Sequence, residues 1–356
     1  MRERKVFFIM DPTSITAPSL ARYTEDLHKL FPVNSEILQI VFRKENMIDN
    51  SKYRYIKPRL LKYPLSVINH IFPNRTFQGV IGSLISGNDI IHITSQLTDP
   101  VYHGSNAIVT IHDLIPFKNF VDSKSTRLIY RLARRNTRYY IKHHYKILTV
   151  SNYSKGDILQ HFKVDEDNIS VIYPYVSDGF YNIADKVGSR KDLGLPFDTK
   201  LILSIGANTK RKNLSMVEEV MNKLGNDFRL VRVGSPIGNS ITFSNLDQQT
   251  LNKIYNACDL LYFPSLEEGF GYPVTEAFTT GLPVVSSNID VIKETAGDAA
   301  LLVDPNDLEQ NIEAIYKSYD NIGYYASKGK ERAKLFNKEV AVKRLLALYD
   351  SCNGAD

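Results

Sequence analysis

From residue 201 onward the chain alternates short apolar runs with amphipathic ones, and this rhythm limits its folding options more than any other feature. Strand-length segments at 201–205, 228–233, 260–263, 284–286 and 300–303 are separated by helix-length segments at 214–224, 248–257, 273–280, 291–295 and 308–319. Strand–helix alternation of this kind predicts a parallel sheet covered on both faces. The first half repeats the theme less cleanly. Strands are expected at 6–10, 35–41, 89–93, 107–111, 147–150 and 169–173, and helices at 19–30, 125–144 and 154–161. A length of 356 residues suits two domains. The expected division is a first domain over 1–175 and a second over 176–335, with 174–196 as the connection. A last helix, within 336–356, carries Val342, Leu345, Leu346 and Tyr349 at helical spacing and is expected to pack back toward the first domain. Two open α/β sheets in tandem place ligands at the carboxyl ends of their strands, across a cleft.

Composition narrows the class. An apolar fraction of 43% supplies core for both domains, and no apolar run approaches the roughly 18 residues of a membrane span. The opening MRERKVFFIM has a basic start and a short apolar stretch, which reads as a first buried strand rather than a secretion signal. Cys258 and Cys352 lie far apart without metal-ligand spacing, pointing to a reduced, cytoplasmic setting. The net charge of +5 is uneven: residues 1–175 hold 24 Lys/Arg against 15 Asp/Glu, the remainder 20 against 24. An anionic surface or ligand is therefore expected for the first domain.

The stretch SLEEGFGYPVTEAFTTGLP, residues 265–283, carries the most chemistry. Glu268 and Glu276 stand eight apart, with Gly269-Phe270-Gly271-Tyr272-Pro273 between them. Pro273 suits the start of a helix and Gly281 the position past its end. A glycine-flexed loop thus feeds a helix N-terminus, whose unpaired amides and positive dipole end favour an anion. Carboxylates beside an anion site are useful only where they grip hydroxyls, one on a ribose and one on a sugar, so the pattern predicts a nucleotide-sugar site. Gly206-Ala-Asn-Thr-Lys-Arg211-Lys212-Asn213 follows a strand and opens a helix. A guanidinium fork and a compact ammonium there suit a diphosphate, and they make a metal redundant. Gly206 and Gly234, each just after a strand, are counted with Glu276 as donor-binding positions.

In the first half, His112 closes an apolar strand, with Asp113 beside it, and a strand-end position faces the ligand side. Asp165-Glu166-Asp167 lies between a helix and a strand and reads as a solvated loop, not a metal site. Arg127, Arg131, Arg134, Arg138 and Lys142 recur every three to four residues along one helical face, while Leu128, Leu132 and Tyr139 fall on other faces that can bury. With the basic, aromatic segment 52–63, this predicts peripheral contact with an anionic membrane. No nucleic-acid-binding motif accompanies the charge.

Glu268-Gly-Phe-Gly-Tyr-Pro-Val-Thr-Glu276, preceded by Arg211-Lys212-Asn213, closely resembles the signatures of glycosyltransferase family 4, retaining transferases of the GT-B fold. Thr110-Ile-His112-Asp113-Leu and Leu148-Thr-Val-Ser151-Asn-Tyr-Ser-Lys resemble that family's first-domain motifs, and Arg22-Tyr23-Thr24 fits its bacterial and archaeal mannosyltransferase-like branch. The resemblance spans nearly the whole chain and is strongest over 201–305. It implies that Glu276 binds the donor ribose and Glu268 contacts the transferred sugar near its anomeric centre. It further implies that Phe270 and Gly271 offer backbone amides to the sugar, that Arg211 and Lys212 hold the departing diphosphate, and that His112 sits near the donor sugar. No cofactor or metal is implied, the nucleoside diphosphate (NDP) sugar being a substrate. One departure is evident: the loop after the first strand, 11–20, has no glycine where the family commonly has several. Without glycine the backbone does not readily take positive φ, so contacts there fall to Ser14, Thr16 or Ser19.

The resulting expectation is a cytoplasmic hexosyltransferase, with mannose favoured, working at the inner face of the cell membrane. It would move sugar from a nucleotide donor to a glycan or lipid-linked acceptor in surface polysaccharide or glycoconjugate synthesis. An NDP-sugar epimerase of the same fold and a non-catalytic sugar- or nucleotide-binding partner of another transferase are the alternatives.

Overall fold

The computed structural model describes residues 4–10, 18–40, 53–56, 81–86, 88–100 and 102–353. Two compact units emerge. One comprises Met1–Asn119, Ser123–Pro174 and Ala341–Asp356, the other Phe120–Asp122 and Tyr175–Val340.

In the first unit seven parallel strands lie in the order β3-β2-β1-β4-β5-β6-β7. They are β1 (Val6–Met10), β2 (Ser35–Ile40), β3 (Tyr53–Ile56), β4 (Ile90–Ile93), β5 (Ala107–Thr110), β6 (Lys146–Thr149) and β7 (Ile169–Val171). Helix α1 (Pro18–Leu30) follows β1, α2 (Lys124–Lys142) precedes β6, and α3 (Asn152–His161) follows it. All five residues of β1 are buried, as expected for a central strand with both faces covered. The direction of the winding reverses between β1 and β4, which pair directly. The glycine-free loop after β1, with Ser14 and Thr16, lies outside the described residues, and Ser19 is an exposed residue of α1.

The second unit holds six parallel strands in the order β10-β9-β8-β11-β12-β13. These are β8 (Lys200–Ile205), β9 (Phe228–Val233), β10 (Ile241–Phe243), β11 (Leu260–Phe263), β12 (Val284–Ser287) and β13 (Leu301–Val303). The intervening helices are α4 (Lys186–Leu193), α5 (Leu214–Leu224), α6 (Gln248–Ala257), α7 (Tyr272–Thr280), α8 (Asp290–Ala296), α9 (Leu308–Asp320) and α10 (Ile322–Ala333). Here the winding reverses between β8 and β11, again direct neighbours. Loops at the carboxyl ends of such a strand pair diverge to opposite faces and leave a crevice between them.

Several expectations are corrected. The segment 174–196 is not a plain connection: Asp185 caps α4, whose Arg190 reaches Asp259 at 2.8 Å and backbone carbonyls at Ala257, Pro196, Phe197 and Thr199. Within the basic segment 52–63, residues Tyr53–Ile56 form a strand paired with β2, and Arg54 approaches Glu36. Residues 57–63 lie outside the described residues. Strand β10 and helix α10 are additional to the expected elements. The final helix, α11 (Lys338–Asp350), buries Ala341, Leu345, Leu348 and Tyr349, while Leu346 is exposed. Its Tyr349 hydroxyl meets His92 Nδ1 at 2.9 Å inside the first unit.

On α2, Arg127, Arg131, Arg138 and Lys142 are exposed. Arg134 instead donates from Nε to the Pro116 carbonyl at 2.5 Å, and Leu128 stands in solvent rather than in the core. Asp165–Asp167 form an exposed turn in which Glu166 pairs with Lys155 at 3.0 Å. Among the described residues, no helix is long and apolar enough to cross a membrane.

Candidate active site

The loops leaving β8 and β11 meet. A single turn of 3₁₀ helix, Lys210–Lys212, ends with Asn213 in the left-handed region and passes into α5. Opposite it, the loop after β11 carries Glu268. Lys212 Nζ lies 2.5 Å from Glu268 Oε1, and Arg211 Nη1 lies 3.0 Å from Glu268 Oε2. Backbone ties reinforce the pair: Leu266 N–H donates to the Arg211 carbonyl at 2.7 Å, and Arg211 Nη1 also reaches the Glu267 carbonyl. Lys212 and Glu268 are buried and Arg211 is half-buried. The Lys212 ammonium also sits 4.4 Å from the Phe263 ring centroid, a favourable cation–π position.

Burial governs the electrostatics. Removal from water pulls Lys212 down to about 8, with Glu268 pulling the other way and Arg211 adding to the fall. For Glu268 burial alone would raise the carboxyl, yet the charges of Arg211 and Lys212 outweigh it and hold Glu268 below the usual carboxylate range. At neutral pH the loop pair therefore presents two cations on one carboxylate. Both oxygens of Glu268, the residue expected near the transferred sugar, engage these cations.

Gly206 explains how Lys212 fits. Its φ is +139°, and a Cβ there would stand 3.0 Å from Lys212 Cε. A side chain would need both a disfavoured backbone and space already filled by the lysine stem. The Gly206 N–H already donates to the Val233 carbonyl, and the Gly234 N–H to Phe243. These two glycines shape the strand ends through conformation, not through their amides.

Glu276 is buried on α7, and its Oε2 accepts from the buried Tyr255 hydroxyl of α6 at 2.5 Å. Sequence reasoning missed Tyr255. The available signal was a tyrosine on the apolar face of a helix, whose hydroxyl needs a partner when buried. Gly271, with φ +94°, precedes α7, and Pro273 falls at the second helical residue rather than the first. The Phe270 ring is buried against Tyr272 and Phe336, and its carbonyl accepts from Thr295.

His112 belongs to the first unit. It is buried, its Nε2 lies 2.9 Å from the Thr94 carbonyl, and its own N–H donates to Gln96 Oε1. A carbonyl can only accept, so Nε2 carries the proton and Nδ1 is left as an acceptor. Burial lowers the ring to about 4, against the opposing pull of the Thr94 bond. The Tyr23 ring packs edge-on at 4.7 Å and holds its plane. Asp113 uses its carboxylate to accept from the Ile115 N–H.

Comparison with known proteins decides the chemistry. Residues 185–334 match the family Glycosyl transferases group 1. The O-antigen chain mannosyltransferase RfbU of Salmonella typhimurium is 26% identical over 66% of this chain and 66% of its own length. The O-antigen chain mannosyltransferase B of Escherichia coli is 24% identical over 97% of this chain and 99% of its own. The protein is a glycosyltransferase. A solved structure of Anabaena Alr3699/HepE in complex with UDP and glucose superposes with a TM-score of 0.74, 13% identity, and coverage of 98% of this chain and 100% of that one. The transferase thus has the GT-B fold.

The electrostatics of the transferase give a pH test. Lys212 is cationic below about 8 and neutral above it, while Glu268 and Arg211 keep their charges through that range. Affinity for a nucleoside diphosphate, measured by calorimetry, should fall as pH rises through about 8, by up to about tenfold per unit. Lys212→Arg should flatten the profile. An affinity constant across this range would show that Lys212 does not meet the diphosphate.

Proposed function

We propose that this transferase takes a hexose from an NDP-sugar and passes it, with retained anomeric configuration, to a glycan or lipid-linked acceptor of a surface polysaccharide. The observation that carries this reading is the ion cluster of Arg211, Lys212 and Glu268 at the reversal point of the second sheet. Such a crevice is where open α/β sheets take their ligands, and the cluster has cationic surplus for a diphosphate. In this reading Arg211 and Lys212 hold the diphosphate and stabilise it as it leaves, and Glu268 fixes their positions at the edge of the sugar pocket. Glu276, steadied by Tyr255, takes the ribose hydroxyls. Phe270 and Gly271 line the sugar through their backbone at the start of α7, and His112 offers Nδ1 to a hydroxyl of the donor sugar.

The acceptor hydroxyl oxygen bonds to the anomeric carbon on the face from which the diphosphate departs, and its proton passes to the leaving phosphate oxygen. The protein's contribution is then positioning and leaving-group stabilisation, with no metal required. Mannose is favoured because RfbU and its Escherichia coli counterpart are named as mannosyltransferases. The HepE complex with UDP and glucose supports a nucleotide-sugar donor.

The direct test is a panel of UDP- and GDP-hexoses. One donor should raise the melting temperature by mass action and support transfer to lipid-linked acceptors in the presence of a chelator, with proton NMR showing the donor's anomeric configuration in the product. Inverted product would overturn the retaining mechanism, and loss of activity with chelator would overturn the metal-free one. Stabilisation by donor without transfer to any acceptor would favour a non-catalytic partner.

We place the enzyme in the cytoplasm at the inner membrane face, supported by the exposed Arg127, Arg131, Arg138 and Lys142 of α2. Each basic side chain near an anionic surface contributes about 1 kcal/mol. Reversing the charge at Arg127, Arg131 and Arg138 together should therefore release the protein from anionic vesicles at physiological salt. Unchanged co-sedimentation would contradict this docking face.

A further inference from the structure

Among the described residues, Arg232 is the largest fully buried side chain. It lies on β9, in the run Phe-Arg-Leu-Val-Arg-Val, between the buried Val231 and the half-buried Val233. Its guanidinium donates from Nη1 to the carbonyls of Ser204, at 3.1 Å, and Val233, at 2.9 Å, and from Nη2 to the carbonyl of Gly206. All three acceptors lie at the carboxyl ends of the neighbouring strands β8 and β9. Among the described residues no carboxylate bridges it, and its Nε–H is buried without a partner. Neutral carbonyls orient a guanidinium, but they do not cancel its charge, and a buried charge without a counter-ion is costly. Burial draws Arg232 down only to about 10, so it stays cationic at neutral pH.

Gly206 joins this arginine to the ion cluster. On one side its carbonyl receives Arg232, and on the other its missing Cβ makes room for the Lys212 stem. Gly234 closes the arrangement. A Cβ there would fall 2.4 Å from the Gly206 oxygen and 3.0 Å from Arg232 Nη2. The charge of Arg232 is felt at Lys212, where it contributes to the lowered proton affinity.

We infer that Arg232 is a positioning and electrostatic residue of the donor site: it clamps the loops after β8 and β9 and supplies a third cation behind Lys212, so that a bound diphosphate becomes the counter-ion the free protein lacks. This rests on the donor-site reading above. Glu268 pairs with Arg211 and Lys212, and Arg232 behind them is held by backbone carbonyls alone. The surplus positive charge is held in low dielectric, where its attraction for an anion is strongest. The clamp and the charge can be separated. Arg232→Lys keeps the charge and gives up the three-carbonyl fork, and Arg232→Met removes both.

The experiment measures affinity of the whole protein for UDP and GDP, and for uridine and guanosine, by calorimetry or ligand-observed NMR, with melting temperatures for each variant. Arg232→Met should weaken the preferred diphosphate by about tenfold or more and leave its parent nucleoside within about twofold, while Arg232→Lys recovers most of the diphosphate preference. Equal losses for nucleoside and diphosphate would reduce Arg232 to a structural clamp and overturn the inference, as would an unchanged diphosphate affinity. Should Arg232→Met fail to fold, Arg232→Lys decides: a diphosphate-to-nucleoside ratio held near that of the native protein supports the charge role, and its collapse overturns it. Failure of the native protein to bind either nucleotide would instead sink the donor-site reading itself.

Discussion

Two loops of the second unit, one leaving β8 and one leaving β11, are joined at a buried ion pair between Lys212 and Glu268. The pair is buried at both ends, so breaking it by removing either partner is expected to cost about 3–5 kcal/mol. Its geometry is set by features that only make sense together. Gly206 makes room for the lysine stem, the Phe263 ring faces the ammonium, and Arg211 occupies the second carboxylate oxygen. Because β8 and β11 flank the reversal of the sheet, this same contact stands where the fold opens to ligand. In the proposed function, structural cohesion and anion recognition are thereby vested in the same three side chains.

The first unit is organised by neutral hydrogen bonds instead. His92 is buried between the Tyr349 hydroxyl and Thr110 Oγ1, and burial, with a smaller contribution from His112, lowers it to about 3. Tyr23 shares Thr110, at 3.3 Å, and packs edge-on against His112. The last helix is thus linked through a chain of uncharged contacts to the ring that faces the ligand side in the proposed reaction. Holding His112 neutral and in one tautomer suits a group that accepts a hydrogen bond from a hydroxyl, and would not suit one that must carry charge.

What could be read beforehand followed from where the information sits. Strands β8, β11 and β12 are buried runs between punctuated helices, so their positions and parallel character were visible in residues 201–286. Arg211, Lys212 and Glu268 in the loops, and Glu276 on the helix that follows, were visible because charge near glycine, after an apolar run, has few structural explanations. Strand β3 was not recognised because Arg54 breaks its apolar pattern and it pairs only at the sheet edge. Strand β10 is three half-buried residues, and α10 has two glycines and a weak apolar face. Arg232 and Tyr255 were hidden for another reason. Each sits inside a regular element, where only the fold decides which buried polar group reaches which loop. The ion pairs of Glu268 were similarly out of reach, since spacing alone cannot say which cations a carboxylate meets.

The central claim is that Lys212, held by Glu268, recognises the β-phosphate side of a nucleotide donor. It is tested most directly by comparing nucleoside mono- and diphosphates of the same base on native protein and on Lys212→Ala. The account predicts that the substitution weakens the diphosphate by about tenfold or more and the monophosphate much less, with Arg211 retained to keep Glu268 paired. Equal weakening of both nucleotides, or no weakening of the diphosphate, would contradict it.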